Sequence, residues 1–255
     1  MNEVTYEVEN GIAFLTLNRP EKRNALNDAL IDALKNALRE ADNEGSLRAV
    51  VLRGAGKDFC SGADLSALQK ISENSREENL ADARGLMELY LLIRKLRIPV
   101  VAAVHGRALA GGCGLATACD IVLATETARF GYPEVKIGFV PAMVTAILRR
   151  SLGEKKAFEL LTQGFEFTAA EAEKLGLVNR IFPDDTFEGD VRDYAAIYGK
   201  VSGSAVRLTK KLLYGIDGTT IDAAMEQGAE VNVEARETED CRKGISKFLN
   251  KTSVR

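Results

Sequence analysis

The chain has one histidine in 255 residues, and its four cysteines contain no C-x-x-C pair. His105 alone is read as structural, because lone histidines are most often so. Without a C-x-x-C spacing at Cys60, Cys113, Cys119 and Cys241, neither a zinc site nor a redox motif is expected. No apolar run approaches the roughly 20 residues needed to span a bilayer. The first residues, Met1-Asn2-Glu3, do not read as an apolar signal segment. A cytoplasmic setting with reduced thiols is the expectation. The net charge of −3 gives no basic footprint for nucleic acid.

What is there is ordinary in bulk: 46% hydrophobic and 28% charged residues, enough for a core that needs no disulfide. The N-terminal residues alternate over Val4 to Val8 and again, less strictly, from Gly11 to Leu17. Glu9-Asn10-Gly11 between them signals a hairpin. Leu26, Leu30, Leu34 and Leu38 then mark one face of a helix that Gly45 ends. Residues 48–53 form a short buried strand. A helix follows Asp64, which is placed to cap it. The polar segment 72–79 is read as a surface loop or frayed helix, and residues 80–97 as a long helix. Strands separated by helical crossovers predict an α/β fold with parallel pairing. A strand–strand–helix rhythm occurs over 4–44 and, loosely, over 98–152. From about residue 200 the chain is helical and charged, so an α/β core over 1–200 and a helical region over 201–255 are expected. Apolar positions in that last region, among them Ile221, Met225, Val233, Ile245 and Phe248, call for a partner subunit.

The chemistry is concentrated in residues 98–134. An apolar run, Ile98 to Val104, leads into glycines at 106, 111, 112 and 114 and a helix of small residues. A second apolar run and the pair Pro133-Glu134 follow. The turn G-G-C-G is neither G-x-G-x-x-G nor a G-K-[ST] loop. Its glycines are either steric, letting helix pack on strand, or they present amides at a helix start to an anion or oxyanion. Ser61-Gly62-Ala63-Asp64 has the same form, so two turns could aim two amides at one carbonyl oxygen. Cys60 or Cys113 with His105 would make a thiol nucleophile pair, but no third orienting group is evident. Ser61 lies in C-S-G-A, not in G-x-S-x-G. Lys22 and Arg23 are either a solvated loop or a phosphate clamp.

Six motifs taken together resemble the crotonase superfamily of enoyl-CoA hydratases and isomerases over nearly the whole chain. They are L-N-R-P-E-K-R-N-A-L-N (17–27), F-C-S-G-A-D-L (59–65), P-V-V-A-A-V-H-G-R-A-L-A-G-G-C-G-L-A-T-A-C-D (99–120), A-R-F-G-Y-P-E (128–134), G-L-V-N-R-I-F-P (176–183) and D-C-R-K-G-I-S-K-F-L (240–249). The resemblance implies a spiral of β-β-α turns with a helical C-terminal region that mediates trimers, often paired into hexamers. It implies an acyl-CoA thioester, its oxygen held by the amides of Ala63 and Gly111. Coenzyme A would come as part of the substrate, with no further cofactor and no metal. Glu134 would carry the proton. Lys22, Arg23 and Ala25 would line the nucleotide end of CoA. Ser61, Asp64 and Leu65 would border its adenine and pantetheine, with Gly112 also on the CoA side. Phe248 and Lys251 would reach a CoA on the same or a neighbouring subunit. Gly114, Pro133 and Ala142 would border the acyl group.

Two departures from the family pattern bear on the reaction. Where hydratases usually carry a first glutamate, this chain has Gly114; and P-G-A-G-G is replaced by Pro141-Ala142-Met143-Val144-Thr145. One carboxylate suits a 1,3-proton shift. Gly114 together with G-F-V-P-A-M-V (138–144) is similar to a bacterial subgroup acting on branched, methylglutaconyl-type substrates, in which Gly114 would supply room for the acyl group. Hydration of a 2-enoyl-CoA is therefore the expectation, with Δ3,Δ2-enoyl-CoA isomerisation as the alternative. A member that binds CoA or RNA without turnover is a lesser one, which Glu134 and the negative charge oppose.

Overall fold

The structure is a computed structural model that describes residues 2–252, without the side chains of Leu65, Leu68, Lys251 and Thr252. Its strands, in chain order, are β1 (Val4–Glu9), β2 (Ile12–Leu17), β3 (Ala49–Gly54), β4 (Val100–Val104), β5 (Arg107–Leu109), β6 (Ile121–Thr125), β7 (Arg129–Gly131), β8 (Glu166–Thr168) and β9 (Arg180–Phe182). The helices are α1 (Asp28–Asn43), α2 (Leu65–Glu73), α3 (Arg76–Lys95), α4 (Gly111–Ala118), α5 (Ala142–Ser151), α6 (Glu154–Gln163), α7 (Ala169–Leu175), α8 (Phe187–Ala196), α9 (Gly203–Gly215), α10 (Ile221–Glu237) and α11 (Glu239–Thr252). Short 3-10 turns occupy Pro20–Lys22 and Pro133–Ile137.

One sheet runs β1-β2-β3-β4-β6-β9 and is parallel apart from the β1–β2 hairpin. A second, smaller sheet runs β5-β7-β8. Side chains alternate across the large sheet as the two-residue period demands. Val50, Leu52, Val100 and Ala102 face a core with Leu30, Leu34 and Leu38 of α1 and Leu89 and Ile93 of α3. Val51, Val101 and Leu123 face the opposite core, closed by Phe187, Val191 and Ala195 of α8. Both faces being covered explains why β3 and β4 read as continuous apolar runs. Each fully buried leucine of the α1 stripe contributes roughly 1.5–3 kcal/mol.

The expected strand–strand–helix rhythm is present as β1-β2-α1 and β4-β5-α4, and again as β6-β7 followed by the 3-10 turn and α5. In the last two units the second strand leaves the large sheet for the small one. The segment 72–79 differs from the reading made of it: α3 already begins at Arg76. Ser75 and Glu78 form a reciprocal capping box, which starts the helix four residues early. The start of α9 is held by Asp240 of α11, which accepts from Ser204 N–H and from the Ser202 and Ser204 hydroxyls. Further along α9, Lys210 reaches the core, donating to Asp120 (2.7 Å) and to the Ile93 and Ile98 carbonyls.

The topology decides where the site is. β2, β3, β4 and β6 are adjacent and parallel, so the loops after their C-terminal ends emerge along one edge. The segments that follow these strands carry, in turn, Lys22 to Ala25, Ser61 to Asp64, beyond β5 Gly111 to Gly114 at the start of α4, and beyond β7 Pro133-Glu134.

Candidate active site

The first two loops are zipped together by backbone. Ser61 N–H donates to Arg23 C=O (3.0 Å), Leu26 N–H to Gly62 C=O (2.6 Å) and Asp64 N–H to Leu26 C=O (2.9 Å). Leu26 thus pairs with Ala63 in a one-residue parallel bridge. In such a bridge Leu26 uses both of its polar groups, whereas the N–H and C=O of Ala63 point the other way. Asn24, fully buried and at φ 54°, fixes the turn that precedes this zip. Its amide donates to the Ala55 and Asp58 carbonyls, and its side-chain oxygen accepts from Arg19 N–H.

The second and third loops touch. Cys60 N–H donates to Arg107 C=O, and Leu109 N–H to Cys60 C=O. A Cβ on Gly62 would stand 2.9 Å from the Ala110 Cβ, and one on Gly112 2.3 Å from the Cys60 carbonyl oxygen. The residues immediately before Ala63 and Gly111 are therefore in direct contact, and only glycine permits it at 62 and 112. Gly111 opens α4, where the first N–H groups have no intrahelical acceptor. Ala110 before it supplies no side-chain cap and sits at φ 48°, ψ −126°. For a residue other than glycine that backbone is strained by on the order of 1–3 kcal/mol. The turn before Ala63 and the turn that opens α4 at Gly111 are thus packed against each other.

Glu134 lies in the 3-10 turn that follows β7. Pairing of Leu109 with Gly131, and the bond from Ala110 N–H to Gly131 C=O (2.8 Å), set this segment beside the start of α4. Its Oε2 is buried and has no hydrogen-bond partner. Burial raises the Glu134 carboxyl above its ordinary value, against a smaller opposing pull from its own backbone N–H. A carboxylate held in this way can accept and return a proton.

Tyr90 of α3 is a site neighbour that sequence reasoning missed. It is 3% exposed, and its O–H donates to the Gly111 carbonyl at 2.6 Å. A Cβ on Gly114 would lie 2.3 Å from its oxygen and 2.9 Å from its ring. This corrects the expectation of free space at Gly114: the ring of Tyr90 already fills it.

The remaining candidates fall into two groups. Lys22 and Arg23 are exposed on the first loop, with Arg23 at φ 50° and 3.8 Å from buried Asp58. Ala25 is buried and Ser61 half-buried beside them. Asp64 is buried with both oxygens engaged: one accepts from Ser66 N–H and caps α2, the other meets Arg19 at 2.7 Å. The bond from Ser66 N–H, together with Arg19, holds its carboxyl below the usual range. Pro133 is half-buried, and Ala142 is exposed at the start of α5, after exposed Ile137, Phe139 and Val140. Phe248 on α11 is 71% exposed. The side chains of Leu65 and Lys251 lie outside the described residues.

A thiol nucleophile finds no support. Burial pushes the Cys60 and Cys113 thiols up to about 12, and His105 is tied to the Gly56 carbonyl at 3.0 Å. Among the described residues, no group of three or more His, Cys, Asp or Glu side chains could hold a metal ion, and no helix is long and apolar enough to cross a membrane.

The profile of the enoyl-CoA hydratase/isomerase family matches residues 7–255. The chain belongs to the enoyl-CoA hydratase/isomerase family. A Thermus thermophilus relative that carries an enoyl-CoA hydratase name is 43% identical over 250 residues, covering 98% of this chain and 99% of that one. The 2,3-dehydroadipyl-CoA hydratase of Escherichia coli is 35% identical over 98% of this chain and 97% of its own length. The crystal structure of a Mycobacterium smegmatis enoyl-CoA hydratase superposes with a TM-score of 0.93 at 34% identity, covering 98% of this chain and 96% of that one. The crotonase-like α/β fold expected from the motifs is thus the fold of this family member.

Proposed function

We propose that this protein adds water reversibly to a 2-enoyl-CoA thioester. The thioester oxygen is held by the N–H groups of Ala63 and Gly111, and Glu134 moves the proton. The carboxylate of Glu134 removes a proton from water as its oxygen bonds to C3. The C2–C3 π electrons pass into the thioester, making an enolate. The proton on Glu134 is then returned to C2, which restores the carboxylate. Two amides fixed before the reaction stabilise the enolate oxygen without reorganisation, each worth roughly 3 kcal/mol. Lys22 and Arg23 serve the phosphates of CoA, and Ala25 and Ser61 border the path between that end and the thioester. The exposed apolar residues of α10 and α11 serve trimer formation.

The observation that carries this reading is the contact of the two glycine turns beside a buried, unpartnered carboxylate oxygen. It is tested with a panel of enoyl-CoA thioesters and product masses, because hydration adds the mass of water and isomerisation adds none. Glu134→Gln is expected to lower kcat by about 10²–10⁴-fold. A wild-type enzyme that shifts 3-enoyl thioesters but never adds water would replace this reading with the second one, isomerisation. One observation favours that second reading: position 114 has no side chain, and Tyr90 occupies the space where a further carboxylate would stand.

A further inference from the structure

Gly111 must present its N–H in a fixed direction, and the peptide before it is held by backbone alone: Ala110 N–H donates to Gly131 C=O at 2.8 Å, and Ala110 C=O accepts from Gly114 N–H at 2.9 Å. Ala110 contributes no capping side chain and has a strained backbone. A side-chain tie on the other side of Gly111 comes from α3. Tyr90 lies 21 residues away in sequence and donates its O–H to the Gly111 carbonyl at 2.6 Å. Burial, with the charge of Glu134 among smaller causes, pushes the Tyr90 phenol well up, so it remains a donor. The missing Cβ of Gly111 would face Leu26 Cδ1 at 3.1 Å, Tyr90 Oη at 3.7 Å and Leu86 Cδ2 at 3.9 Å. Leu26 is also the residue bridged to Ala63. A Cβ at 114 would stand 2.3 Å from Tyr90 Oη, 2.9 Å from Cζ and 3.1 Å from Cε2, so any larger residue there would move the ring.

We propose that Tyr90 is the positioning residue of the oxyanion site: it holds Gly111 by its carbonyl, and Gly114 is the residue that admits its ring. The pair sets where the first turn of α4 offers its amide. The proposal rests on Gly111 N–H being an oxyanion donor, as in the function proposed above.

The test uses Tyr90→Phe, which keeps the ring and removes the donor. The wild-type enzyme is first assayed for turnover of crotonyl-CoA and for the absorbance red shift of bound cinnamoyl-CoA, a measure of carbonyl polarisation. Absence of both in the wild type is failure of the functional reading and is seen before any variant is made. Where wild type shows them, Tyr90→Phe is expected to lose about tenfold in kcat, one hydrogen bond's worth, with KM within about twofold. The red shift of the bound probe should shrink, and the acid limb of the pH profile, set by Glu134, should stay in place. Gly114→Ala should reduce both quantities further, and the double variant should lose less than the product of the single losses, because both changes act on one ring. An unchanged kcat and red shift in Tyr90→Phe would overturn the proposal. So would a lowered melting temperature with an unchanged red shift, or independent losses in the double variant.

Discussion

Replacing Glu134 by glutamine separates two consequences of its burial. Activity should fall, because the proposed proton carrier is gone. Stability moves the other way. Burial favours the protonated carboxyl, so the native chain holds this proton more tightly than the unfolded chain does. From the ordinary glutamate value up to the raised native one, stability therefore falls as pH rises. Glu134→Gln should abolish that slope and melt above wild type at neutral pH, as thermal unfolding followed across the acid-to-neutral range will show. The acid limb of kcat/KM in the wild type should lie above the ordinary glutamate value for the same reason. Tyr90 belongs to this scale too. Gly114 stood out in the sequence as a missing side chain, but its reason lies 24 positions earlier on α3, and no local pattern joins the two. Glu134 was legible because Pro133-Glu134 sits in a motif; that its Oε2 lacks a partner was not, since burial is set by segments distant in sequence.

At the scale of elements, the start of α2 depends on one carboxylate. Asp64 accepts from Ser66 N–H and neutralises Arg19, whose guanidinium also donates to the Ala25 carbonyl at 2.5 Å. Asp64→Ala removes a helix cap and leaves a mostly buried arginine without this partner. A loss of about 2–4 kcal/mol is expected, measured by denaturant unfolding. Because its native pKa is depressed, the stability that wild-type Asp64 supplies should be present above the unfolded value and lost as pH falls through the native one. The large elements were readable from the chain alone. The Leu30, Leu34, Leu38 stripe specifies α1, and the continuous apolar runs specify β3 and β4. β5, β7 and β8 escaped notice because three residues are too few to show alternation. The early start of α3 was masked by its polar first turns, although Ser75 and Glu78 carry the capping-box signal.

For the whole molecule, α10 and α11 leave Ile221, Met225, Val233 and Ile245 exposed, with Ile221 at 73% and Met225 at 68%. With the assembly proposed above, the wild type should sediment as a trimer or hexamer, and Met225→Asp should lower that mass towards the single chain. Their apolar character was legible in the sequence, but which helix faces remain uncovered depends on how α9 docks through Lys210 and Asp120. The backbone zip between residues 23–26 and 61–64 reaches further than its few hydrogen bonds suggest. In the function proposed above, it makes the nucleotide grip and the carbonyl grip two ends of one short lever. A phosphate pulling on Lys22 and Arg23 would bear, through Leu26, on the peptide proposed to hold the thioester. A thioester cut back to its pantetheine arm leaves one end of that lever unloaded. It should therefore turn over more slowly even when the enzyme is saturated with it, because the distant handle of the substrate helps to set the geometry of its reacting end.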